Sequence, residues 1–503
     1  MTATAPDTLP EHLRAFLNPD FYPHPVASVE LIQTHISWVF LTSTYAYKLK
    51  KPLDLGFLDF TTIEKRKYFC EQELMLNRRL ASDIYLEVLP VSQCNDSYAL
   101  GEAGQVIDYC LKMVQFDQSD LLDQRLSAGT FDPAWMDMLA EDVAAFHAHA
   151  ETGPEIQAFG DIRFLRAHVE ANFQVADNHI GTALSTATLT AIRDHSHTLL
   201  KRHAGTIAER QRDHVRNCHG DLHLKNIMLF KARPCIFDCI EFSDEYRMID
   251  TMNDAAFLVM DCDVRDRSDL GYRFLSRYLE YTGDYDGLKL LPLYLSYRAC
   301  VRGKVACLLA EDASLNAAAR AEQLDEASHY FSLAEAYVMR PGPTLFAIGG
   351  FSGSGKSHLA LQGCGSEHAV IIRSDATRKR ITIDHPELPL YGRQMNERTY
   401  ASMFEAATMA LQAGFSVILD ATFLRQEDRN IARNIAAEQG VPCRLIWIDT
   451  DEAVLHERVS RRQMSGSDIS DADVQVLERQ LAGYQRPAET DIIFTPDSGG
   501  WPG

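Results

Sequence analysis

Positive charge is scarce in this sequence. Its 503 residues include 49 lysines and arginines against 70 aspartates and glutamates, so the formal net charge is −21 at pH 7. An acidic surface repels polyanions such as nucleic acids. The composition therefore argues against tight, non-specific nucleic-acid binding and leaves room only for a local basic groove.

Paired cysteine motifs and long apolar runs are also missing. The 11 cysteines are scattered, and none forms the CxxC pair of a zinc ribbon or a thiol redox centre. No stretch approaches the roughly 18 apolar residues of a membrane span, and the start MTATAPDTLP carries no secretion signal. We expect reduced thiols, no membrane contact and a cytoplasmic protein, long enough for two or three folded domains.

The first part of the chain has the pattern of a small antiparallel sheet with a helix. Residues 37–52 predict two strands joined by a tight turn, and residues 84–93 predict a further strand. Between them, residues 61–81 have helical spacing, with Thr61 or Thr62 as the N-cap. After these elements the pattern becomes mostly helical.

The pattern changes again after a long helical stretch predicted over 305–339. The PGP that follows Arg340 stops a helix, so we predict a domain boundary between residues 340 and 341. We expect residues 1–25 to form a loose entry and residues 495–503 to be disordered. Four short apolar runs alternate with helical segments beyond the boundary, as in a parallel sheet wrapped by helices: TLFAIGG, HAVIIRSD, FSVILDAT and CRLIWIDT.

The stretch GGFSGSGKSH matches a phosphate-binding loop. Gly350, Gly355, Lys356 and Ser357 complete the pattern GxxxxGK[ST] after a strand-like run, and Gly353 adds a further glycine. Glycines let backbone N–H groups surround phosphate, the lysine reaches the β and γ phosphates, and the serine hydroxyl binds Mg²⁺. A glycine-rich turn without a ligand is the alternative.

Charged residues follow the later strands of this region. Asp420 ends a strand and could hold Mg²⁺ or orient an acceptor, while Asp375 could take a proton from a hydroxyl and Arg378 could hold an anion. Arg458 and Arg462 lie on a predicted helix that could close over a triphosphate. A helix cap at Asp375 and a solvated basic face on the arginine helix are the alternatives.

Residues 344–490 resemble the P-loop small-molecule and polynucleotide kinases, a group with gluconate-kinase-like, polynucleotide 5′-kinase-like and zeta-toxin-like members. The resemblance rests on GFSGSGKS, RSDATRKR and LDATF. It implies that ATP binds the loop, that Asp375 is the base and that Arg378 clamps a phosphate.

A second phosphotransfer pattern lies in HGDLHLKN. His219, Asp221 and Asn226 fit the catalytic loop HxDxxxxN, and Asp238 ends a short apolar strand 12 residues further on. In this order the chemistry is a base, an amide ligand and a carboxylate ligand for Mg²⁺. A zinc site made by the cysteine and histidines of this stretch is the alternative, but it lacks a fourth ligand.

This second region resembles the aminoglycoside phosphotransferase and choline-kinase-like branch of the protein-kinase superfamily, whose loops read HGDxxxxN. The resemblance implies that Asp221 is the base and that Asn226 and Asp238 hold Mg²⁺. It also implies that Asp250 or Asp254 braces the catalytic loop.

Kinase-like folds hold the α and β phosphates with a strand lysine paired to a helix glutamate. Lys48 and Lys50 lie on one side of a predicted strand, and Glu71 and Glu73 lie on the next helix. We predict the pair Lys48–Glu73, with Lys50 left open and Glu241 in a supporting role.

The sequence thus predicts two domains. Residues 1–340 form an α+β, protein-kinase-like bilobal domain, and residues 341–503 form an α/β P-loop domain with a parallel sheet flanked by helices. This order resembles that of fused bacterial proteins with an aminoglycoside-phosphotransferase-like part and a P-loop ATP-binding part. We expect both domains to transfer the γ-phosphoryl group of ATP, with Mg²⁺, to a hydroxyl. We expect a small polar metabolite as acceptor, with nucleic acid conceivable only at the C-terminal domain. The alternative is that only one domain is an active kinase and that the other binds nucleotide and regulates it.

Overall fold

The computed structural model describes residues 9–502, apart from 57, 96, 314, 466–472, 483 and 485 and the side chains of 462, 464 and 465. The chain forms two compact units. The first unit comprises Met1–Asp132, His149–Phe159 and Val215–Asp250, and the second unit comprises Pro133–Ala148, Gly160–His214 and Thr251–Gly503.

Strands and helices are labelled in chain order. The strands are β1 (Glu30–Gln33), β2 (Ser37–Leu41), β3 (Tyr45–Lys50), β4 (Tyr85–Cys94), β5 (Ser97–Leu100), β6 (Gln105–Val114), β7 (Val215–Asn217), β8 (Ile227–Phe230), β9 (Arg233–Ile236), β10 (Met248–Asp250), β11 (Leu345–Gly349), β12 (Ala369–Arg373), β13 (Ser416–Asp420), β14 (Cys443–Asp449) and β15 (Ile492–Pro496). The α-helices are α1 (Glu11–Ala15), α2 (Ile63–Ala81), α3 (Leu122–Ser127), α4 (Ala134–His149), α5 (Pro154–Gln157), α6 (Ile162–Asp177), α7 (Thr186–Arg202), α8 (Ala204–Asp213), α9 (Asp244–Arg247), α10 (Thr251–Asp263), α11 (Ser268–Thr282), α12 (Leu291–Ala310), α13 (Ala317–Val338), α14 (Lys356–Ser366), α15 (Ser374–Asp384), α16 (Arg393–Gln412), α17 (Gln426–Gln439), α18 (Glu452–Ser465) and α19 (Val474–Ala482).

The first unit is built on a six-stranded antiparallel sheet with the order β1-β2-β3-β6-β4-β5. Helix α2 packs against β4 and β6. Its N-cap is Thr62, whose side chain accepts a hydrogen bond from the Lys65 N–H at 3.3 Å. The hairpin and the helix predicted from the sequence are therefore confirmed, and the strand predicted over 84–93 is β4.

The segment before the sheet packs into the core. The structure describes its residues 9–25, in which Leu13 and Phe16 are fully buried. The Phe16 ring lies 4.9 Å from the Phe40 ring of β2. The prediction of a loose entry is wrong for this segment, because apolar side chains on and after α1 reach the sheet. Earlier residues lie outside the described part of the chain.

Two short hairpins carry the catalytic-loop region of the first unit. Strand β7 pairs with β10, and β8 pairs with β9, both antiparallel. Residues 218–226 run from the end of β7 to the start of β8. The loop is thus held at both ends by backbone pairing, which limits its freedom.

Helices make up the first part of the second unit. The helical pattern over 305–339 predicted one helix, and this is wrong because the chain forms two, α12 and α13. Asn316 ends the break between them, since its side chain accepts a hydrogen bond from the Ala319 N–H at 2.9 Å and so caps α13. Among the described residues, no helix has the combined length and apolarity that crossing a bilayer requires.

A five-stranded parallel sheet with the order β12-β13-β11-β14-β15 follows in the second unit. The four apolar runs found in the sequence are its strands β11 to β14, and helices α14 to α17 alternate with them along the chain. The predicted fold class, an antiparallel kinase-like sheet with helices and then a parallel sheet with helices, is confirmed. The boundary between residues 340 and 341 lies between α13 and β11 and stays a prediction.

The C-terminal segment is ordered up to residue 502, so the prediction of disorder is wrong for residues 495–502, and residue 503 lies outside the described part of the chain. Strand β15 adds to the sheet beside β14. The Trp501 ring packs 5.0 Å from the Phe346 ring, and its indole N–H donates to Glu367 at 2.9 Å. One aromatic anchor therefore holds a segment whose composition is typical of a flexible tail.

We predict that Gly349→Ala destabilises the parallel sheet. A Cβ at this position would lie 2.7 Å from the Trp447 ring, so we expect a loss of about 1–3 kcal/mol in the free energy of unfolding. Urea denaturation followed by tryptophan fluorescence measures it. Gly342→Ala is the control, because no atom lies within 4 Å of its added Cβ. Equal stability of the two variants would refute the packing argument.

Candidate active sites

A chain of five charged side chains runs through the first unit. Lys48 Nζ donates to Glu73 Oε1 at 2.7 Å and to Asp238 Oδ1 at 3.0 Å. Lys50 Nζ donates to Glu73 Oε2 at 2.7 Å and to Glu241. The predicted pair Lys48–Glu73 is thus in contact, and Glu73 is shared by both lysines.

The position of each charge follows from its element. Lys48 and Lys50 are two residues apart on β3 and so face the same side, while Glu73 is only 1% exposed on α2. Burial raises the pKa of Glu73, but the two lysines outweigh it and hold the pKa at about 2. Burial lowers the pKa of Lys48, but Asp238 and Glu73 raise it well above its ordinary value. Glu73 and Lys48 are therefore both charged at neutral pH.

Lys50 is the residue whose role the sequence left open. Its side chain is 1% exposed, and its ammonium lies 4.9 Å above the Phe60 ring. Phe60 ends the stretch KKPLDLGFLDF and is fully buried. This stretch therefore supplies one wall of the lysine site, a role that no motif in the sequence indicated.

Asp221, Asn226 and His223 meet in the loop after β7. Asn226 Nδ2 donates to Asp221 Oδ2 at 2.8 Å and to the Asp221 carbonyl oxygen at 3.0 Å. His223 Nε2 lies 3.3 Å from Asp221 Oδ2. The predicted base and the predicted amide ligand are thus side by side, and the base is fixed in orientation.

His219 links the two halves of this region. Its Nε2 donates to the Phe237 carbonyl oxygen at 3.0 Å, and its Nδ1 accepts from the Asp221 N–H at 3.3 Å. A carbonyl oxygen can only accept and an N–H can only donate, so these contacts define a neutral ring with its proton on Nε2. Both ring nitrogens are engaged, which leaves His219 no lone pair for zinc.

Two arginines that the sequence analysis missed hold the loop. Arg247 Nε donates to Asn217 Oδ1 at 2.7 Å, and its Nη1 donates to the Ile240 carbonyl at 2.8 Å. Arg79 on α2 donates to the carbonyls of Asn217 and Cys218 at 2.7 and 3.0 Å. These contacts join the loop to α2 and to the segment after β9, and no local sequence signal marks them.

The two aspartates considered as braces lie in different units. Asp250 pairs with Val215 in the β10–β7 ladder of the first unit. In the second unit, the fully buried Asp254 accepts from His147 Nε2 at 3.0 Å, and His147 Nδ1 lies 2.9 Å from the Tyr278 hydroxyl. Bracing of the catalytic loop by either aspartate stays a prediction.

Asn226 and Asp238 offer the donor atoms that Mg²⁺ prefers. The Asn226 nitrogen is used by Asp221, so its Oδ1 is the atom able to face a cation. The Asp238 side chain is 44% exposed, and its backbone has a φ of +60°, a conformation that few residues other than glycine, asparagine and aspartate adopt. An amide oxygen and an accessible carboxylate fit magnesium chemistry.

The phosphate-binding loop lies between β11 and α14 of the second unit. Gly350, Gly353 and Gly355 have φ values of +146°, +86° and +95°, which favour glycine. Lys356 Nζ donates to the carbonyl oxygens of Gly350 and Phe351 at 3.1 and 2.8 Å. The lysine thus lies over its own loop, where the predicted phosphates would bind.

Ser357 and Asp420 are in contact beside this loop. Ser357 Oγ donates to Asp420 Oδ2 at 2.5 Å, and Asp420 is buried at the end of β13. Burial raises the pKa of Asp420, and Lys356 and Ser357 oppose that shift. A hydroxyl and a carboxylate oxygen side by side fit the donor set expected for Mg²⁺ at a P-loop.

Asp375 and Arg378 lie in the first turns of α15. Arg378 Nη1 donates to Asp375 Oδ1, its Nη2 lies 3.5 Å from Asn396 Oδ1, and its guanidinium is 4.9 Å from the centre of the Tyr391 ring. The predicted base and clamp are therefore paired with each other, in an environment that orients the arginine.

Arg458 on α18 contacts the phosphate-binding loop directly. Its Nη1 lies 3.3 Å from the Gly353 carbonyl oxygen, and its Nη2 donates to Asp497 at 2.6 Å. The helix predicted for the lid arginines is confirmed as α18. The side chain of Arg462 lies outside the described part of the chain.

The parallel sheet and its loop define a P-loop domain, and comparison with known proteins agrees. Residues 345–487 match the family described as "AAA domain". The P-loop part of the predicted resemblance is therefore confirmed.

A mycobacterial relative extends over most of the chain. The "Uncharacterized protein Rv2004c" of Mycobacterium tuberculosis (strain ATCC 25618 / H37Rv) is 30% identical over 427 residues, which cover 82% of this chain and 83% of the relative. The chain belongs to the same protein family as this relative.

Solved structures with similar folds include kinases of both predicted types. A choline/ethanolamine kinase family protein from Mesorhizobium loti matches with a TM-score of 0.38 and 13% identity, covering 65% of this chain and 97% of its own. A gluconokinase from Sinorhizobium meliloti 1021 matches with a TM-score of 0.25 and 20% identity, covering 32% of this chain and 86% of its own. These likenesses concern the fold alone.

We predict that Lys50→Met destabilises the first unit by about 3–5 kcal/mol, because it leaves Glu73 and Glu241 buried with one cation fewer. Burial already raises the pKa of Glu241, and the loss of Lys50 raises it further. A carboxyl whose pKa is higher folded than unfolded stabilises the fold at low pH, and this stabilisation is lost as pH rises through the folded pKa. The loss should therefore be larger at pH 8 than at pH 5.

Denaturant unfolding at both pH values measures this difference against Lys67→Met. Lys67 lies on the surface of α2, 3.8 Å from Glu71 and 5.5 Å from the centre of the Tyr109 ring. Because its side chain is 47% exposed, its replacement should cost less than about 1 kcal/mol. A Lys50→Met cost that is the same at pH 5 and pH 8 would contradict the assigned role of Glu241.

Proposed function

We propose that this protein is a bifunctional ATP-dependent phosphotransferase, in which each kinase-like part transfers the γ-phosphoryl group of ATP to a hydroxyl. The contact that carries the proposal is the 2.8 Å hydrogen bond from Asn226 to Asp221. The bond joins the carboxylate that we propose as the base to the amide side chain that we propose as a magnesium ligand, and Lys48 is paired with Glu73 in the same unit.

At the first site, Asp221 accepts the proton of the acceptor hydroxyl. Its carboxylate accepts a hydrogen bond from Asn226, and its backbone N–H donates to His219 Nδ1, so both the side chain and the backbone of Asp221 are restrained in the loop. The oxygen of the hydroxyl forms a bond to the γ-phosphorus, the bond from that phosphorus to the bridging oxygen of ADP breaks, and ADP leaves with the electron pair.

Charge around the phosphates is the second requirement of the reaction. Lys48 supplies an ammonium group that Glu73 keeps in place. Asn226 and Asp238 would hold Mg²⁺, which supplies further neutralisation of phosphate charge when bound. These groups favour the transition state by position and charge, without a covalent intermediate on the protein.

At the second site, Lys356 and the N–H groups of the glycine loop would bind the triphosphate, and Ser357 with Asp420 would hold Mg²⁺. Asp375 takes the acceptor proton, and Arg378 orients it through their mutual contact. Arg458 touches the loop from α18 and would neutralise charge there.

Small polar metabolites, such as sugars, amino sugars or nucleoside derivatives, are the acceptors we propose, because the net charge of −21 disfavours a polyanion. Two alternatives differ in observable ways. One part could bind nucleotide only as a regulator of the other, or the C-terminal part could phosphorylate the 5′ end of a polynucleotide through Arg378.

The test is phosphotransfer from γ-labelled ATP to a metabolite extract by the full-length chain. We expect Asp221→Asn and Asp375→Asn each to remove one set of labelled products, with the affected rate falling about 10²- to 10⁴-fold, because asparagine keeps the shape but cannot accept the proton. A 5′-hydroxyl oligonucleotide added to the extract tests the polynucleotide alternative.

Asp213→Asn and Asp384→Asn serve as matched controls, since both aspartates are exposed on helices α8 and α15. If Asp221→Asn leaves every product in place, the first part is a binding module. No labelled product from the wild-type chain would reject phosphotransfer to a metabolite.

A further inference from the structure

Helix α11 covers the outer edge of the parallel sheet within the second unit. Strand β12 is an edge strand, and edge strands leave one row of backbone groups unpaired in the sheet. Ser276 on α11 accepts a hydrogen bond from the Ile371 N–H of β12 at 2.9 Å in a buried position. A Cβ on Gly365 would lie 2.7 Å from the Asp269 backbone, so the helix and the P-loop part are in close contact.

One turn beyond Ser276, Glu280 binds the side chain of Arg373. Its two carboxylate oxygens accept from Arg373 Nε and Nη2, and Glu280 is only 7% exposed. Arg277 donates to the same carboxylate. A bidentate pair fixes the orientation of the guanidinium plane as well as its position. The side chain of Arg373 is thus held from α11.

Arg373 lies next to two acids of the P-loop site, Asp420 and Asp375. It is the last residue of β12, it lies opposite Asp420 in the β12–β13 ladder, and Asp375 follows two residues later on α15. Burial lowers the pKa of Arg373, but Glu280 and, more weakly, Asp420 raise it above its ordinary value. Its guanidinium is therefore a permanent cation within electrostatic reach of the Asp420 carboxylate.

Glu280 decides which acid that cation binds. Without it, the buried guanidinium would lose its bidentate partner, and the remaining acids that act on it are Asp420, which lies opposite it in the ladder, and, more weakly, Asp137. A new pair between Arg373 and Asp420 would compete with the Ser357 hydroxyl, which donates to Asp420 in the present structure. It would also shift the end of β12, from which Asp375 extends.

We propose that Glu280 is a positioning residue for phosphotransfer at the P-loop site, and that α11 is a working part of that site. It holds Arg373 away from Asp420 and fixes the start of α15, so that Asp375 stays in register with the phosphate-binding loop. This inference rests on the proposed function of the P-loop part. No residue of α11 belongs to a phosphate-binding motif.

The kinetic test uses the full-length chain. P-loop turnover is defined as the part of γ-phosphate release from ATP that Lys356→Ala removes. We expect Glu280→Gln to lower kcat of this part about tenfold while KM for ATP changes less than about twofold, because the geometry of the reacting groups is disturbed and the nucleotide loop is not. Glu280→Gln/Arg373→Gln should recover part of kcat, since the competing cation is gone.

Asp269→Asn is the matched control. It removes an acid of the same helix whose carboxylate binds Arg267 at 2.8 Å, and kcat should stay within about twofold of wild type. Equal kcat in Glu280→Gln and wild type overturns the proposal. The proposal is also overturned if kcat and the melting temperature fall together in Glu280→Gln and in Asp269→Asn. That pattern would mean a general loss of stability and no specific effect of Glu280.

Hydrogen exchange of residues 369–380 provides a readout that does not need turnover. Loss of the charged pair should speed exchange there about tenfold in Glu280→Gln and leave Asp269→Asn unchanged. If the wild type has no turnover that depends on Lys356, the proposed function fails, whereas faster exchange still supports the anchoring of β12 by Glu280. Unchanged exchange in Glu280→Gln rejects the anchoring as well.

Discussion

Glu73 accepts hydrogen bonds from the ammonium groups of Lys48 and Lys50 in the interior of the first unit. The same two lysines bind Asp238 and Glu241, so the positions of these two acids depend on Glu73. A buried carboxylate is tolerated only when it is paired, so β3, α2 and the segment after β9 cannot move apart without exposing unmatched charge. The second unit uses a different solution. Its lysine, Lys356, donates to two neutral carbonyl oxygens of its own loop.

Much of both sites could be predicted from the sequence because their chemistry is local. Asp221 and Asn226 are five residues apart, and Lys356 and Ser357 are adjacent, so a short loop brings each pair together in almost any compatible fold. The pair Lys48–Glu73 is 25 residues apart. It was still predictable, since a strand followed by a helix that packs on it leaves few alternative partners.

Contacts between distant segments were not predictable. Lys50 and Glu241 are separated by 191 residues and Glu280 and Arg373 by 93, and nothing in the composition of either segment specifies the partner. The prediction of a disordered C-terminal segment was wrong for a related reason. Its glycines and prolines favour disorder locally. The packing of Trp501 against the sheet stabilises the ordered segment by more than the conformational entropy that ordering costs.

The position of α11 along the chain has a consequence for biosynthesis. Ser276 precedes its partner Ile371 by 95 residues, so the helix leaves the ribosome well before the strand that it covers. Folding during synthesis proceeds from the N-terminus, and a finished helix is then available when β12 emerges. The exposed edge of a nascent parallel sheet, which is a site for aggregation, would be shielded from the moment it forms.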